Sequence, residues 1–165
     1  MNNIILIGMP GSGKTTLGTY LSELIGYGYI DSDSVIVARE GKRLNEIIAE
    51  KGTEAFLDIE AKVNAELAAS RCVIATGGSV IYRETAMRAL AQKGIIVYLK
   101  LSYEAIASRL GDLTARGVAL KDGFTLRDLY DERTPLYEKY AQITVELDGL
   151  TVEAAADAIR RAVQK

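Results

Sequence analysis

Five short apolar runs punctuate the chain, at Asn3–Gly8, Tyr29–Asp31, Cys72–Thr76, Ile95–Leu101 and Gln142–Glu146, and helical spacing of apolar residues fills the intervals. Runs of this length read as strands. Ile4 to Ile7 and Ile95 to Leu99 are apolar on both faces, as in strands buried within a parallel sheet. Strands alternating with helices predict an α/β fold in which crossover helices cover both sides of the sheet and ligands bind at the strands' carboxyl ends. A helix is predicted over Thr15–Ile25. Residues 33–70 read as two or three helices broken at Gly41 and Gly52, more than a plain crossover needs, so an inserted substrate region is expected there. From Gly111 to Gly123 the apolar periodicity lapses and Gly111, Gly117 and Gly123 predict a flap between two helices, read as a lid. Thr151 to Val163 places Val152, Ala155, Ala156, Ile159 and Val163 on one helical face, which is a packing pattern. No linker or internal repeat interrupts this order, so residues 1–165 are expected to form a single domain.

The junction between the first strand and the first helix carries the clearest chemistry. Residues 8 to 15 read Gly-Met-Pro-Gly-Ser-Gly-Lys-Thr, a complete G-x-x-x-x-G-K-S/T phosphate loop in the strand–loop–helix setting that the motif requires. Its glycines let successive N–H groups turn inward around a polyphosphate, and the helix N-terminus adds positive dipole. Gly11, Ser12, Gly13, Lys14, Thr15 and Thr16 are therefore the candidate nucleotide contacts. Lys14 is positioned for the β- and γ-phosphates and Thr15 for magnesium, and the expected ligand is ATP or GTP.

Composition narrows the rest. The 165 residues are 48% hydrophobic, enough for one domain with a substantial core. The net charge of −2 is spread along the chain and leaves no basic stripe for nucleic acid, so a small-molecule partner is expected. The single cysteine, Cys72, lies in an apolar run and is expected in the core; it excludes an intrachain disulfide and points to a reducing compartment. No apolar run is long enough to span a membrane and no leader-like segment opens the chain, so a cytoplasmic, monomeric protein is expected. Histidine is absent, which leaves acid–base work to carboxylates, lysines or tyrosines.

Two carboxylates, Asp31 and Asp33, stand where the second strand gives way to helix, at the sheet edge that the phosphate loop also occupies. One can serve the metal and the other an acceptor hydroxyl; the competing role for either is helix N-cap. The third strand does not end in an aspartate but in Ala75-Thr76-Gly77-Gly78-Ser79. Asp31 is thus the better candidate for magnesium, through water. Gly77-Gly78 either lets backbone approach a substrate closely or forms only a turn.

Taken in order, the phosphate loop, Asp31-Ser32-Asp33, Phe56 with Glu60, Gly77-Gly78, Arg109 with Arg116, and Arg133-Thr134-Pro135-Leu136-Tyr137 resemble the shikimate kinase family, within the nucleoside-monophosphate-kinase-like P-loop proteins. The resemblance spans nearly the whole chain. It implies a three-layer αβα sandwich with a five-stranded parallel sheet in the order 2-3-1-4-5, a substrate-binding region at about residues 33–61 and a lid at about 111–123. It further implies ATP- and magnesium-dependent phosphorylation of the 3-hydroxyl of shikimate. By the same resemblance Asp33 receives or orients the acceptor hydroxyl, Gly77, Gly78 and Arg133 bind the substrate, Arg116 neutralises the transferring phosphoryl, and Arg109 lies against adenine.

The chain also departs from the family pattern. Where the family has Phe-Arg-x-x-Glu, with the arginine on the substrate carboxylate, this chain reads Phe56-Leu57-Asp58-Ile59-Glu60; the third glycine of the family is Ser79, and the lid's Arg-Pro is Arg116-Gly117. A lost charge-assisted hydrogen bond of roughly 1.5–3 kcal/mol corresponds to about ten- to a hundred-fold in affinity. Arg39, Lys42, Arg43 and Arg83 are the candidate replacements. Three readings follow: a shikimate kinase, a related kinase with another hydroxyl acceptor, or a nucleotide-binding regulatory protein whose kinase activity has decayed.

Overall fold

The computed structural model describes residues 3–110 and 123–164. Five strands, β1 (Asn3–Ile7), β2 (Gly28–Asp31), β3 (Cys72–Ala75), β4 (Gly94–Lys100) and β5 (Ile143–Glu146), form one sheet in the order β2-β3-β1-β4-β5, with every neighbouring pair parallel. β1 takes the centre, with Ile4 opposite Val73 on one side and Ile95 on the other. All five of its residues are buried, which is why it needs no polar alternation.

The helices are α1 (Lys14–Ile25), α2 (Ser32–Glu40), α3 (Leu44–Lys51), α4 (Thr53–Glu66), α5 (Glu84–Lys93), α6 (Tyr103–Arg109), α7 (Leu126–Tyr140) and α8 (Val152–Val163). They fall into two groups around the sheet. α1 packs on β1, β2, β3 and α8, whereas α5 and α7 pack on β4, with α4 against α5. α8 buries Ala155, Ala156 and Ile159 and half-buries Val152 and Val163, the face that its spacing predicts.

Between β2 and β3 the chain makes three helices instead of one crossover. α2 stops where Gly41 takes a left-handed φ of 70°, and α3 where Gly52 takes 88°. Ile36, Ile47, Phe56, Leu57 and Val63 form a second apolar cluster apart from the main core, so the insert has packing of its own. The limits of the strands and of α1 and α8 differ from the expected ones by a residue, and the helical stretch expected to run to residue 70 ends at Glu66. One other difference concerns the core. Cys72 is half-buried at the rim of the core, because it opens edge-proximal β3. The lid segment, with Arg116, lies outside the described residues apart from Gly123. Among the described residues no helix is long and apolar enough to cross a membrane.

Candidate active site

The loop between β1 and α1 folds as the motif demands. Gly11 and Gly13 hold φ at 82° and 92°, in the region that glycine alone enters at no steric cost, and Ser12 N–H donates to Met9 O at 3.1 Å to close the turn. Lys14 opens α1, and its Nζ donates to Gly8 O (2.6 Å) and Met9 O (2.9 Å). The ammonium therefore sits inside the loop. Burial lowers its pKa to about 8, against the pull of Asp33 upward. Thr15 and Thr16 are exposed on the first turn at the mouth of the same cleft.

Asp31 takes the capping role weighed against metal binding: its Oδ1 accepts from Asp33 N–H (3.0 Å) and Ser34 N–H (3.4 Å) and starts α2. The cap occupies one carboxylate oxygen only. It also turns Asp33, on the first turn, inward. Asp33 Oδ1 is fully enclosed and has no hydrogen-bond partner among the described residues. Burial, reinforced by the negative charge of Asp31 and opposed by Lys14, raises its pKa to about 6. A buried acceptor left unbonded costs about 1–3 kcal/mol, which singles out this oxygen as a candidate to receive a donor.

Gly77 and Gly78 open a turn, with Val80 N–H donating to Gly77 O at 3.3 Å, and side chains pack closely against them. A β-carbon on Gly77 would lie 2.7 Å from both Asp33 Oδ1 and Glu60 Oε2, and one on Gly78 2.8 Å from Arg133 Nη1 and 2.9 Å from Pro10 Cδ. The two glycines form a thin floor against which acidic and basic groups converge. Arg133 is almost wholly buried on α7; its Nε donates to Tyr82 Oη at 3.2 Å and its guanidinium lies 5.2 Å from the Tyr82 ring centroid. Tyr82 Oη in turn donates to Glu132 Oε2 (2.7 Å), and Tyr137 Oη donates to Gly78 O (2.6 Å). These tyrosines hold the arginine and the glycine floor in fixed relation.

One cleft of about 480 Å³ gathers the phosphate loop, Asp31, Asp33, Gly77, Gly78 and Arg133. Arg109 lines it too, donating from Nη1 to Gly11 O at 3.2 Å beside the phosphate loop. Sequence reasoning had placed all of these as candidates. Thr76 lines the wall without having been a candidate, as do Phe56, Glu60 and Ser79, which entered only through the family pattern. Glu60 is 1% exposed, and a buried charge-capable residue inside an amphipathic helix was the one signal available.

Leu57 does not line this cleft. It faces an adjoining one of about 300 Å³, with Tyr82, Arg83, Phe124 and Leu136. Of the four basic residues weighed as replacements, Arg39 pairs with Glu66, Lys42 with Glu50, and Arg83 with Glu54 and Asp58, while Arg43 is exposed. None of the four lines the main cleft.

Comparison with known proteins agrees with this geometry. The family model described as Shikimate kinase matches residues 10–164. A shikimate kinase of Thermobifida fusca is 40% identical over 159 residues, covering 95% of this chain and 92% of its own. One of Thermodesulfovibrio yellowstonii is 36% identical over 162 residues, covering 96% and 93%. Among solved structures, the shikimate kinase of Acinetobacter baumannii in complex with shikimate superposes with a TM-score of 0.86 at 31% identity, covering 99% of this chain and 93% of that one.

Proposed function

Because the chain belongs to the shikimate kinase family, we propose that it transfers the γ-phosphoryl group of ATP, with magnesium, to the 3-hydroxyl of shikimate. The observation that carries this reading is the enclosed, unpartnered Asp33 Oδ1, which shares one cleft with the phosphate loop and Arg133.

The donor set fits a magnesium nucleotide. Two positive-φ glycines shape a cradle, Lys14 lies within it, Thr15 presents a hydroxyl at its mouth, and Asp31 keeps one carboxylate oxygen beyond its cap. Thr15 and Asp31 would hold the metal, Asp31 through water. The magnesium nucleotide supplies the phosphoryl group and a divalent charge beside it. The chain supplies placement and charge. Lys14 neutralises the phosphates, and Asp33 accepts a hydrogen bond from the reacting hydroxyl and takes up its proton. Arg133 pairs with an anionic group of the acceptor. Phosphoryl transfer needs little more from a protein than such alignment and neutralisation.

Coupled ADP release with Mg–ATP tests the reading, with shikimate compared against a panel of other hydroxyl acceptors and against none. Shikimate-dependent release is the expected result. Release with a different acceptor alone would assign the cleft to another substrate, and tight ATP binding with no turnover would favour a regulatory role. The same assay tests the gap left at residue 57. Leu57→Arg restores the cation of the family's Phe-Arg-x-x-Glu pattern, and it is expected to lower the KM for shikimate about ten- to a hundred-fold, the value of one charge-assisted hydrogen bond.

The two perturbed groups also set a pH dependence. Asp33 must be a carboxylate, so kcat/KM falls as the pH drops through about 6; Lys14 must be an ammonium, so it falls again as the pH rises through about 8. A bell-shaped profile with limbs near those values is expected. A flat profile from pH 5 to 9 would remove both groups from the rate-determining ionisations.

A further inference from the structure

Glu60 is the group in the cleft for which the mechanism above has no use. It sits in the middle of α4, is 1% exposed, and lines the same wall as Asp33. Its side chain accepts one hydrogen bond, from Ser79 Oγ to Oε1 at 2.7 Å, and it is in no ion pair among the described residues. Its other oxygen, Oε2, and Asp33 Oδ1 would each lie 2.7 Å from a β-carbon placed on Gly77, so the two acidic oxygens are no further apart than twice that distance.

Among the described residues, no charge pairs with Glu60. From α2 it faces Asp33, a like charge; from α1 it faces Lys14, whose ammonium bonds the Gly8 and Met9 carbonyls; from α7 it faces Arg133, whose Nε bonds Tyr82. On α4 itself, residue 57 lies three positions away, at the spacing where helical side chains meet, and it is leucine. An ionised carboxylate enclosed in this way beside a second one is costly, whereas the acid form needs only one donor and one acceptor. Burial accordingly raises its pKa to about 8, with Asp33 adding to the rise and Ser79, Arg133 and Lys14 opposing it.

We infer that Glu60 acts as a neutral carboxylic acid, held at Oε1 by Ser79, that presents its Oε2–H to an oxygen of the acceptor beside Asp33 and so helps to determine which acceptor is taken. The inference rests on the reading of this cleft as the acceptor site. It gives Leu57 and Ser79, the two departures nearest Glu60, a joint consequence. With no cation at 57 the glutamate keeps its proton, and the serine hydroxyl supplies the donor that a glycine there lacks.

Glu60→Gln and Glu60→Leu separate the alternatives. Glutamine preserves a neutral donor and an acceptor, so the KM for shikimate is expected to stay within about threefold of wild type at pH 7; leucine removes the donor and should raise it by about tenfold or more with the KM for ATP unchanged. A fall in kcat/KM of about a hundredfold in Glu60→Gln would mean that the ionised form is the working one. An unchanged KM in Glu60→Leu would confine Glu60 to packing. Either result overturns the inference.

Two further readouts require no turnover. The infrared difference spectrum between wild type and Glu60→Gln at pH 7 should contain a protonated-carboxyl carbonyl band, and its absence would defeat the proposal. Because the folded-state pKa lies above the ordinary 4.5, folding takes up a proton. The stability that Glu60 contributes is therefore complete below about 4.5 and lost as the pH rises towards about 8, so the wild-type melting temperature should fall across that window more steeply than that of Glu60→Gln. If wild type turns over another acceptor instead of shikimate, the functional reading fails on its own, and the two variants are then compared with that acceptor.

Discussion

Replacing Asp33 by asparagine is expected to reduce kcat by about 10²- to 10⁴-fold while Mg–ATP binds nearly as well as in wild type, since removal of a positioned proton acceptor costs an effect of that order. The geometry supports this separation. Asp33 lies on the first turn of α2, with Oδ1 enclosed and unbonded, whereas the contacts that cradle a polyphosphate belong to the loop ahead of α1. Asparagine matches aspartate in shape and cannot take up a proton. The substitution also removes a negative charge facing the Lys14 ammonium, so a modest change in nucleotide affinity is compatible with the assignment. Single-turnover rates beside equilibrium ATP titration distinguish the two effects. Lost ATP affinity with normal turnover of the bound nucleotide would reassign Asp33 to the nucleotide half of the cleft.

Gly94→Ala is expected to be the most disruptive small change to the fold, at about 3 kcal/mol or more. Gly94 starts β4 directly opposite Asn3 of β1, and a β-carbon there would lie 1.9 Å from the Asn3 carbonyl oxygen. That neighbour is backbone, so no rotamer change relieves the overlap; one strand must shift. Asn3 itself is buried, its Nδ2 donating to Ala69 O and Lys93 O at 3.1 Å and its Oδ1 accepting from Cys72 N–H at 2.9 Å. A displaced β1 start would disturb these bonds to the approaches of both β3 and β4. For a domain of this size the cost corresponds to a fall in melting temperature of roughly 6–12 °C. A fall of a degree or less in thermal unfolding would show that the start of β1 and β4 yields more readily than this packing implies.

The difference between those two positions bears on what can be read from a linear chain. Gly94 looks like an ordinary residue at the start of an apolar run, and only the register of β4 against β1 brings it onto Asn3. Asp33 stood out beforehand because it follows a strand next to another acid, but the same pattern fits a helix cap. Once folded, the neighbouring Asp31 provides the cap and Asp33 is released inward.

What the chain determines by itself is local and periodic. Apolar runs at the five strands, the glycines at 41 and 52 that end two helices, and the phosphate loop at 8–15 each act through backbone conformation or short-range burial, and these forces operate between residues close in sequence. The order of the parallel strands, and the candidacy of Asp33, Gly77, Gly78, Arg109 and Arg133 for the cleft, also follow from the resemblance that the ordered motifs carry. Tertiary structure alone decided which acid caps and which is orphaned, that Leu57 faces an adjoining cleft, that Tyr82 and Tyr137 hold Arg133 and the Gly78 carbonyl, and that Glu60 is enclosed beside Asp33 with Ser79 as its donor. Those outcomes depend on burial and on charges brought together from α1, α2, α4 and α7. Desolvation and Coulomb interaction act through space, so no spacing along the chain encodes them until the sheet has set the helices side by side.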